Sequence, residues 1–370
     1  MSPHNVEAWL RFANVQLQAS MANALLDAFG DPEAVFSASP AAVGEVDGLT
    51  PRAINALRDP AFMPTAVQSA RIESGDVCIL PRTDPDYPQP LRGVPDAPPV
   101  LFVMGRLDER DRFAVGIVGT RQASPYGRSV TAKLARDLAQ AGMTVVSGGA
   151  LGIDAAAHRA ALDAGGRTLV VLGCGIDVNY PRENRPMFDA VAARDQGAVL
   201  SEWPLTASPE PWRFPLRNRI ISGLSMGVVV TEAPKQSGAL ITAGIAAEQG
   251  REVMAVPGNV DRPFSQGANE LIRDGAHLVS SASDVLRVLN VLTLEPPASA
   301  QPVGTQTPSV SSLPEVQRVL MEHLSLTPKH LDALAADARL PTVEVSAQIT
   351  MLELAGLVRR LPGNCYIRVL

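Results

Sequence analysis

Two short glycine-containing segments contain the residue types that bind phosphates in proteins. The first is Gly119-Thr120-Arg121, and the second is Ser147-Gly148-Gly149. Glycine turns leave backbone N–H groups accessible, and an arginine guanidinium can donate two parallel hydrogen bonds to a phosphate. The chemistry that these residue types predict is the binding of an anion.

Each of these segments follows a short apolar run. Phe113–Val118 and Met143–Val146 show no alternation of polar and apolar residues, which is typical of strands buried on both faces of a parallel sheet. Helical segments follow each glycine turn. Parallel strands end at one edge of a sheet, where helix N-termini also favour anions. We therefore expect Arg121 and both glycine turns, with their free N–H groups, to meet at that edge.

A third segment, Pro211–Arg219, contains three arginines and two aromatic residues without one acidic residue. Arginines that hold phosphates and rings that stack on bases are the pattern of single-strand binding. The alternative is that Trp212 and Phe214 only anchor a loop to the sheet. Because the loop at Arg182–Arg185 is expected on the same edge, we favour the binding interpretation.

A series of ordered blocks resembles the DNA processing protein A (DprA/Smf) family. The family usually has Gly-Ser-Arg where this chain has Gly119-Thr120-Arg121, a change that keeps the hydroxyl group. The blocks include Ser147-Gly-Gly-Ala-x-Gly-Ile-Asp-x-x-Ala-His158, Leu172-Gly-Cys-Gly-Ile-Asp-Val-Asn-Tyr-Pro181, Arg217-Asn-Arg-Ile-Ile-Ser-Gly-Leu-Ser225, Gly238-Ala-Leu-Ile-Thr-Ala, Val256-Pro-Gly-Asn259 and Gly267-Ala-Asn-x-Leu-Ile-x-x-Gly-Ala276.

The resemblance implies a cytoplasmic protein that binds single-stranded DNA, protects it and helps to load a RecA-type recombinase in natural transformation, recombination and repair. It also implies a homodimer formed by the second half of the central domain, around Ala239–Ala247 and His277–Val279. It implies no catalysis, cofactor, metal or membrane insertion. The candidate DNA-binding residues are Gly119, Thr120, Arg121, Ser147, Gly148, Gly149, Arg182, Asn184, Arg185, Trp212, Phe214, Arg217, Asn218, Arg219 and Gly238.

A nucleotide-processing enzyme that uses the same pocket is the alternative. Lysine-decarboxylase-like phosphoribohydrolases share this kind of sheet but use a Pro-Gly-Gly-x-Gly-Thr-x-x-Glu loop, which is absent after Thr231-Glu-Ala. Asp154 and His158 have the spacing of a metal or acid–base pair, but no third ligand accompanies them, so we expect a structural role. The fingerprints for NAD and for P-loop ATP hydrolysis are also missing.

Composition limits the classes of protein further. The chain has 370 residues, 46% hydrophobic residues and a formal net charge of −6, so nucleic acid must be bound by a local basic patch. No apolar run approaches the roughly 20 residues of a membrane-spanning helix, and no secretory signal precedes the first helix. Cys78, Cys174 and Cys365 lie far apart, as expected in a reducing cytoplasm.

Residues 109–292 predict a Rossmann-like, doubly wound α/β domain. Residues 1–75 predict a helical, SAM-like or helix-hairpin-helix-like domain; DNA contact through Gly48 and a role as an interaction domain both remain open. The proline-rich segment 76–108 is expected to extend the central domain, and 293–312 to be a flexible linker. Strands are predicted at 113–118, 143–147, 167–172, 197–200, 227–232, 252–256 and 277–279, and helices at 126–141, 153–165, 184–194, 216–223, 239–249, 266–273 and 282–290.

Residues 313–370 predict a winged helix, with helices at about 313–323, 328–336 and 342–355 followed by a hairpin. The third helix, which in such domains enters the major groove, contains no lysine or arginine. The segment has six basic and six acidic residues, too few cations for strong phosphate neutralisation. We expect a protein-contact module, or a minor DNA contact through Arg359 and Arg360.

Overall fold

A computed structural model describes residues 3–193, 195–291, 313–325, 327–355, 357–361 and 363–368. The predicted linker at 293–312 lies outside these residues. Among the described helices, none is both long enough and apolar enough to cross a membrane.

Six short α-helices are described in the N-terminal part of the chain. Three of them begin where the side chain of Asp31, Ser39 or Thr50 caps the first turn and a proline follows, a sequence that favours a helix start. Trp9 shares a hydrophobic core with Phe102 of the central sheet, so the helices pack on that sheet. The helices are α1 Pro3–Asn14, α2 Ala19–Phe29, α3 Pro32–Ser37, α4 Pro40–Gly44, α5 Pro51–Ala56 and α6 Ala66–Glu73.

The central sheet has nine strands within the described residues. They are β1 Cys78–Pro81, β2 Val100–Gly105, β3 Ala114–Val118, β4 Thr144–Ser147, β5 Thr168–Leu172, β6 Gly197–Ser201, β7 Gly227–Val230, β8 Glu252–Ala255 and β9 His277–Leu278. Their order in the sheet is β1-β2-β6-β5-β4-β3-β7-β8-β9. In this order, all neighbouring strands from β6 through β3 to β9 pair in parallel. Strand β2 pairs antiparallel with both β6 and β1. The proline-rich segment therefore contributes two strands to the same sheet.

Helices cover both faces of this sheet, as a doubly wound fold requires. Leu134 and Ile153 belong to the core on one face, and Ile220 and Ala243 to the core on the other. Strands β3 and β5 are buried along their whole length, which explains their continuous apolar sequences. The helices are α7 Gln89–Arg92, α8 Pro125–Gln140, α9 Ile153–Asp163, α10 Arg185–Ala193, α11 Arg213–Leu224, α12 Gly238–Glu248, α13 Gln266–Arg273 and α14 Ala282–Val288.

Strand β3 lies at the point where the order of the strands reverses. The chain continues from it through β4, β5 and β6 on one side, whereas β7, β8 and β9 lie on the other. In open α/β sheets the ligand crevice is found at the carboxyl ends of the strands beside such a reversal. The loops after β3, β4, β5 and β7 all reach this edge.

The described residues between 313 and 368 form a winged helix, as predicted. Strand β10 was not expected: Lys329 and His330 pair with β12, so the helix predicted from 328 begins only at Leu331. Leu334 and Ile349 lie in the core of this domain. The elements are α15 Glu315–His323, β10 Lys329–His330, α16 Leu331–Ala338, α17 Thr342–Leu354, β11 Val358–Leu361 and β12 Cys365–Arg368.

Candidate nucleic-acid interface

The loop after β3 presents Arg121 at the surface and turns Thr120 inward. Arg121 is exposed, and its guanidinium carbon lies 5.3 Å from the centre of the Phe214 ring. Thr120 is buried, and its hydroxyl oxygen accepts a hydrogen bond from the Gln122 N–H at 3.2 Å. Of these two predicted residues, Arg121 is the one whose side chain faces solvent at this edge.

Two other predicted residues, Gly119 and Ser147, have roles in packing. A Cβ atom at Gly119 would lie 2.5 Å from Ile153 Cγ1 and 2.8 Å from the Glu232 carbonyl oxygen, so the close approach of these elements requires glycine. Ser147 is buried, and its hydroxyl donates to the Ile117 carbonyl at 2.6 Å. Both residues join neighbouring elements beneath the edge.

The turn after β4 uses most of its polar backbone groups internally. The N–H groups of Gly148 and Ala150 donate to Asp154 Oδ2 at 3.1 and 3.3 Å. The Gly148 carbonyl accepts a hydrogen bond from Arg217 Nη1 at 2.6 Å. Gly149 has a φ of 66°, in the left-handed region that favours glycine. The expectation that this turn offers free N–H groups is therefore wrong for Gly148.

Asp154 supports this turn from inside the domain, and His158, one helical turn later in α9, contacts the first residue of β5. Burial raises the pKa of the Asp154 carboxyl, although the Arg217 charge opposes this effect. His158 Nδ1 lies 2.7 Å from Thr168 Oγ1, and burial lowers the pKa of the imidazole to about 3. Within the part of the chain that the structure describes, no three His, Cys, Asp or Glu side chains are grouped as metal ligands.

Asn184 fastens the loop after β5 to the turn after β4. The side chain is buried, and its Nδ2 donates to the carbonyl oxygens of Gly149 and Ala150, each at 3.0 Å. Its Oδ1 accepts a hydrogen bond from Arg159 Nη2 at 3.2 Å. Asn184 therefore holds two loops together, and both of its N–H donors are used within the protein.

The arginines around Asn184 differ in their surroundings. Arg185 donates to Asp189 at 2.8 Å, one turn later in α10, so its charge is paired. Arg182 is exposed, and no carboxylate of the described residues lies within ion-pair distance of it. Arg159 in α9 is also exposed, and sequence reasoning missed it because its neighbour Asn184 is distant in the chain. Arg159 and Arg182 extend the positive charge of this edge.

The arginine–aromatic segment is a helix and not the predicted loop. Helix α11 begins at Arg213, where the prediction placed its start near residue 216. A helix has about 3.6 residues per turn, so its side chains spread over all sides. Arg213 and Arg217 are buried, Phe214 is half-buried, and Trp212 is 52% exposed. The segment therefore does not present all its arginines and rings to one ligand.

Arg213 stacks between two tryptophan rings and reaches the loop between α1 and α2. The Arg213 guanidinium carbon lies 4.7 Å from the Trp203 ring centre and 5.1 Å from that of Trp212. Arg213 Nη2 donates to Gln16 Oε1 at 2.7 Å. This stack joins α11 to the N-terminal part of the chain, and Trp212 does not line the pocket that holds Phe214.

Three further predicted residues lie outside that pocket. Arg219 forms a two-pronged ion pair with Glu202, with distances of 2.7 and 2.6 Å, and also donates to the Asp96 carbonyl. Asn218 is buried in α11. Gly238 is exposed at the start of α12, where a Cβ atom would meet no other atom within 4 Å. The structure gives none of these three a position beside Arg121.

Arg121 and Arg217 converge on a pocket of about 60 Å³ at the ends of β3, β4 and β5. Burial lowers the pKa of Arg217 to about 10; the Asp154 carboxylate raises it, and the charge of Arg121 lowers it further. Because the two positive charges repel each other, an anion between them would be stabilised by both. The lining residues are Arg121, Gly148, Ala150, Leu151, Leu172, Gly173, Cys174, Tyr180, Pro181, Phe214 and Arg217.

An aromatic pair forms one wall of the pocket. The Phe214 and Tyr180 rings have centres 5.7 Å apart and planes inclined at 46°. Tyr180 is exposed, and the Phe214 ring contacts both Tyr180 and Arg121. Sequence reasoning missed Tyr180, although an aromatic residue in the loop after a buried strand is a signal that points to this edge. The pocket thus combines two cations with two rings.

Comparisons with known proteins identify relatives along most of the chain. Residues 78–290 match the sequence model of the family described as DNA recombination-mediator protein A, and residues 304–364 match that of the DprA winged helix domain. Protein Smf of Synechocystis sp. is 36% identical over 91% of this chain and 92% of its own length. Protein Smf of Escherichia coli is 38% identical, over 89% of this chain and 87% of its own length.

Two solved structures share the fold at useful sequence identity. DNA processing protein A of Streptococcus pneumoniae has a TM-score of 0.65 and 34% identity, covering 75% of this chain and 95% of that chain. DNA processing protein A of Helicobacter pylori has a TM-score of 0.51 and 30% identity, covering 58% of this chain and 95% of that chain. The chain therefore belongs to the DNA processing protein A (DprA/Smf) family.

Proposed function

We propose that the pocket at the ends of β3, β4 and β5 binds single-stranded DNA. A backbone phosphate lies between Arg121 and Arg217, and a base stacks on the Phe214–Tyr180 wall. The observation that carries this proposal is the convergence of two interacting guanidinium groups on a pocket with an aromatic wall. Cations with rings are the combination that holds single strands.

The same arrangement favours a single strand over a duplex. A base can stack on a protein ring only when its own stacking in the strand is interrupted, which costs far less in a single strand than in a duplex. Arg159 and Arg182 would continue the phosphate contacts beyond the pocket. The related Helicobacter pylori protein has a described single-stranded DNA binding mode, which supports the same ligand class here.

We also propose that the bound strand is protected and passed to a RecA-type recombinase in natural transformation, recombination or repair. The support is the family description, recombination mediator, because a mediator acts between a strand and the recombinase. The proposal includes no catalytic step. Asp154 and His158 are buried and hydrogen-bonded, so a substrate in the pocket would not reach them.

A homodimer through α12 and β9 is part of the proposal. Ile241 is 47% exposed and Leu278 55% exposed, so two large apolar side chains of this half of the domain face solvent in the single chain. The exposed side of α12 also contains Gly244, which allows a close approach of another surface. A two-fold pair would place two pockets on one strand and raise the avidity.

The deciding experiment compares a labelled single-stranded oligonucleotide with the same sequence as a duplex, by fluorescence anisotropy at one fixed salt concentration. We expect clear preference for the single strand in the full chain. Equal affinity for both, or no binding, would contradict the proposal. Incubation with nucleoside monophosphates serves as the companion assay, since release of free base would instead identify the nucleotide-processing enzyme.

A further inference from the structure

A single residue, Glu232, holds both ends of the loop that carries Arg121. Its carbonyl oxygen accepts a hydrogen bond from the Thr120 N–H at 2.7 Å. Its carboxylate accepts one from the Ser124 N–H at 2.8 Å and one from the Ser124 hydroxyl at 2.6 Å. The residue follows β7, on the opposite side of β3 from the pocket. Arg121 therefore projects from a short loop that is fastened before and after it.

Two glycines pack closely against this residue. Glu232 is only 3% exposed. A Cβ atom at Gly127 would overlap the carboxylate, and a Cβ atom at Gly119 would lie 2.8 Å from the Glu232 carbonyl oxygen. Both glycines are thus needed for close contact with Glu232, and this contact fixes the start of α8 relative to β7.

The carboxylate is also placed where a negative charge is favoured. Ser124 is the capping residue of α8, a helix of 16 residues, and the N-terminus of a helix stabilises an anion. In many open α/β sheets an external phosphate takes this position. Here Glu232 supplies the negative charge, so the helix start is occupied and the arginine loop is held without a ligand.

We propose that Glu232 is a positioning residue for DNA binding that acts through Arg121. It keeps the Arg121 loop in the conformation that sets the guanidinium over Phe214 and opposite Arg217. Preorganisation of this kind raises affinity because the loop has less freedom to lose on binding. The inference rests on the proposed function, since its effect is read out as single-strand affinity.

The test is a double-mutant cycle on the full chain with a labelled oligothymidylate. Glu232→Gln removes the negative charge while size is kept: the amide oxygen can still accept from the Ser124 N–H, but its NH₂ group then faces the Ser124 hydroxyl, which loses its charged acceptor. We expect single-strand affinity to fall about tenfold, the effect of losing one well-placed charge-assisted contact. Combined with Arg121→Ala, the substitution should cause little additional loss, because residues that act as a unit are not additive.

Asp111→Asn is the matched control. Asp111 is also a nearly buried carboxylate, paired with Arg167 at 2.8 Å, but it precedes β3 and lies at the opposite edge of the sheet. The Asp111→Asn substitution should lower the midpoint of thermal unfolding and leave the affinity for DNA unchanged. Ser124→Ala removes the hydroxyl that donates to Glu232 and, with it, the cap acceptor of the Gly127 N–H. It should weaken binding in the same non-additive way and decides the matter if Glu232→Gln does not fold.

Two results would overturn the inference. One is wild-type affinity in both Glu232→Gln and Ser124→Ala. The other is an equal loss in the wild-type and Arg121→Ala backgrounds, which would mean that Glu232 acts independently of Arg121. If the wild-type chain itself showed no single-strand binding, the proposed function would fail, and this inference with it.

Discussion

Asp154 and Arg217 hold the two polar backbone groups of Gly148 from opposite sides. The Gly148 N–H donates to Asp154 Oδ2 at 3.1 Å, and its carbonyl oxygen accepts from Arg217 Nη1 at 2.6 Å. Both side chains are buried. The turn after β4 is therefore fixed before any ligand arrives, and a guanidinium charge lies directly beneath it.

Arg217→Ala should reduce both stability and DNA binding. The substitution leaves the Gly148 carbonyl without its donor and the buried Asp154 carboxyl without a compensating charge, and we expect a loss of about 3 kcal/mol in the free energy of unfolding. Urea denaturation gives that value, and anisotropy gives the affinity. Arg219→Ala is the comparison: its charge is already paired with Glu202, so the dependence of DNA affinity on salt should stay unchanged. Unaltered stability in Arg217→Ala would refute the internal role.

Arg121→Glu should weaken single-strand binding by about tenfold or more with the fold intact, because an exposed phosphate contact becomes a repelling charge. Arg136→Glu is the control, because it makes the same change of charge on an exposed arginine of α8, the helix that follows the Arg121 loop. Circular dichroism verifies folding, and anisotropy compares affinities. An equal loss of single-strand affinity in the two variants would show that only the net charge matters, which would contradict the assignment of Arg121 to the binding pocket.

Deletion of residues 296–370 should leave most of the single-strand affinity. The exposed side of α17 carries Val343 and Met351, which are 84% and 56% exposed, and the helix has no lysine or arginine. For a single strand, the slope of log affinity against log salt concentration is about −0.7 per phosphate contact. Because we expect the deleted residues to make few such contacts, the slope should barely change. A much shallower slope after truncation would place the DNA site in the winged helix.

Ile241→Glu should separate the proposed homodimer, since a charge replaces an exposed apolar side chain at its centre. Light scattering at micromolar concentration should report the mass of one chain, with reduced affinity for long oligonucleotides and unchanged affinity for short ones. Val67→Glu is the control, because Val67 is 63% exposed in α6, outside the proposed interface. A wild-type monomer with full affinity would remove the dimer from the proposal.

His158 should make stability depend on pH. Burial lowers its pKa from 6.5 to about 3, so below pH 6.5 the unfolded chain binds a proton that the folded chain does not. The stabilising contribution is therefore complete above pH 6.5 and is lost as the pH falls, by about 2 kcal/mol at pH 5. The free energy of unfolding, measured by urea denaturation at pH 7.5 and at pH 5, should differ less between the two pH values in His158→Asn than in the wild-type protein. An equal difference in both proteins would contradict the assignment.

The fold was accessible from sequence because its signals are local. Continuous apolar runs marked β3 and β5, and the observed bounds, Ala114–Val118 and Thr168–Leu172, differ from the prediction by one residue at one end. Helix α11 was predicted to start at 216 but begins at Arg213, so Pro215 lies in its first turn. A proline in the first turn of a helix lacks only an N–H that has no partner there, so the helix includes it.

The site was harder to predict because the important pairings join distant parts of the chain. Arg219 meets Glu202 from the end of β6, and Arg217 meets the turn at Gly148. The spacing of residues in the sequence gives no information about such partners. Arginines that looked equivalent in Pro211–Arg219 therefore have different roles: Arg217 at the base of the pocket, Arg219 in an ion pair.

The outer strand β9 limits how two copies can associate. It has only two residues, His277 and Leu278, so continuation of the sheet into a second chain would gain very few backbone hydrogen bonds. The opposite edge, β1, ends at Pro81, which has no N–H to donate. Short and interrupted edges protect a sheet from unlimited strand-to-strand growth. The proposed contact through side chains such as Ile241 would instead close into a pair, so that assembly ends at two chains.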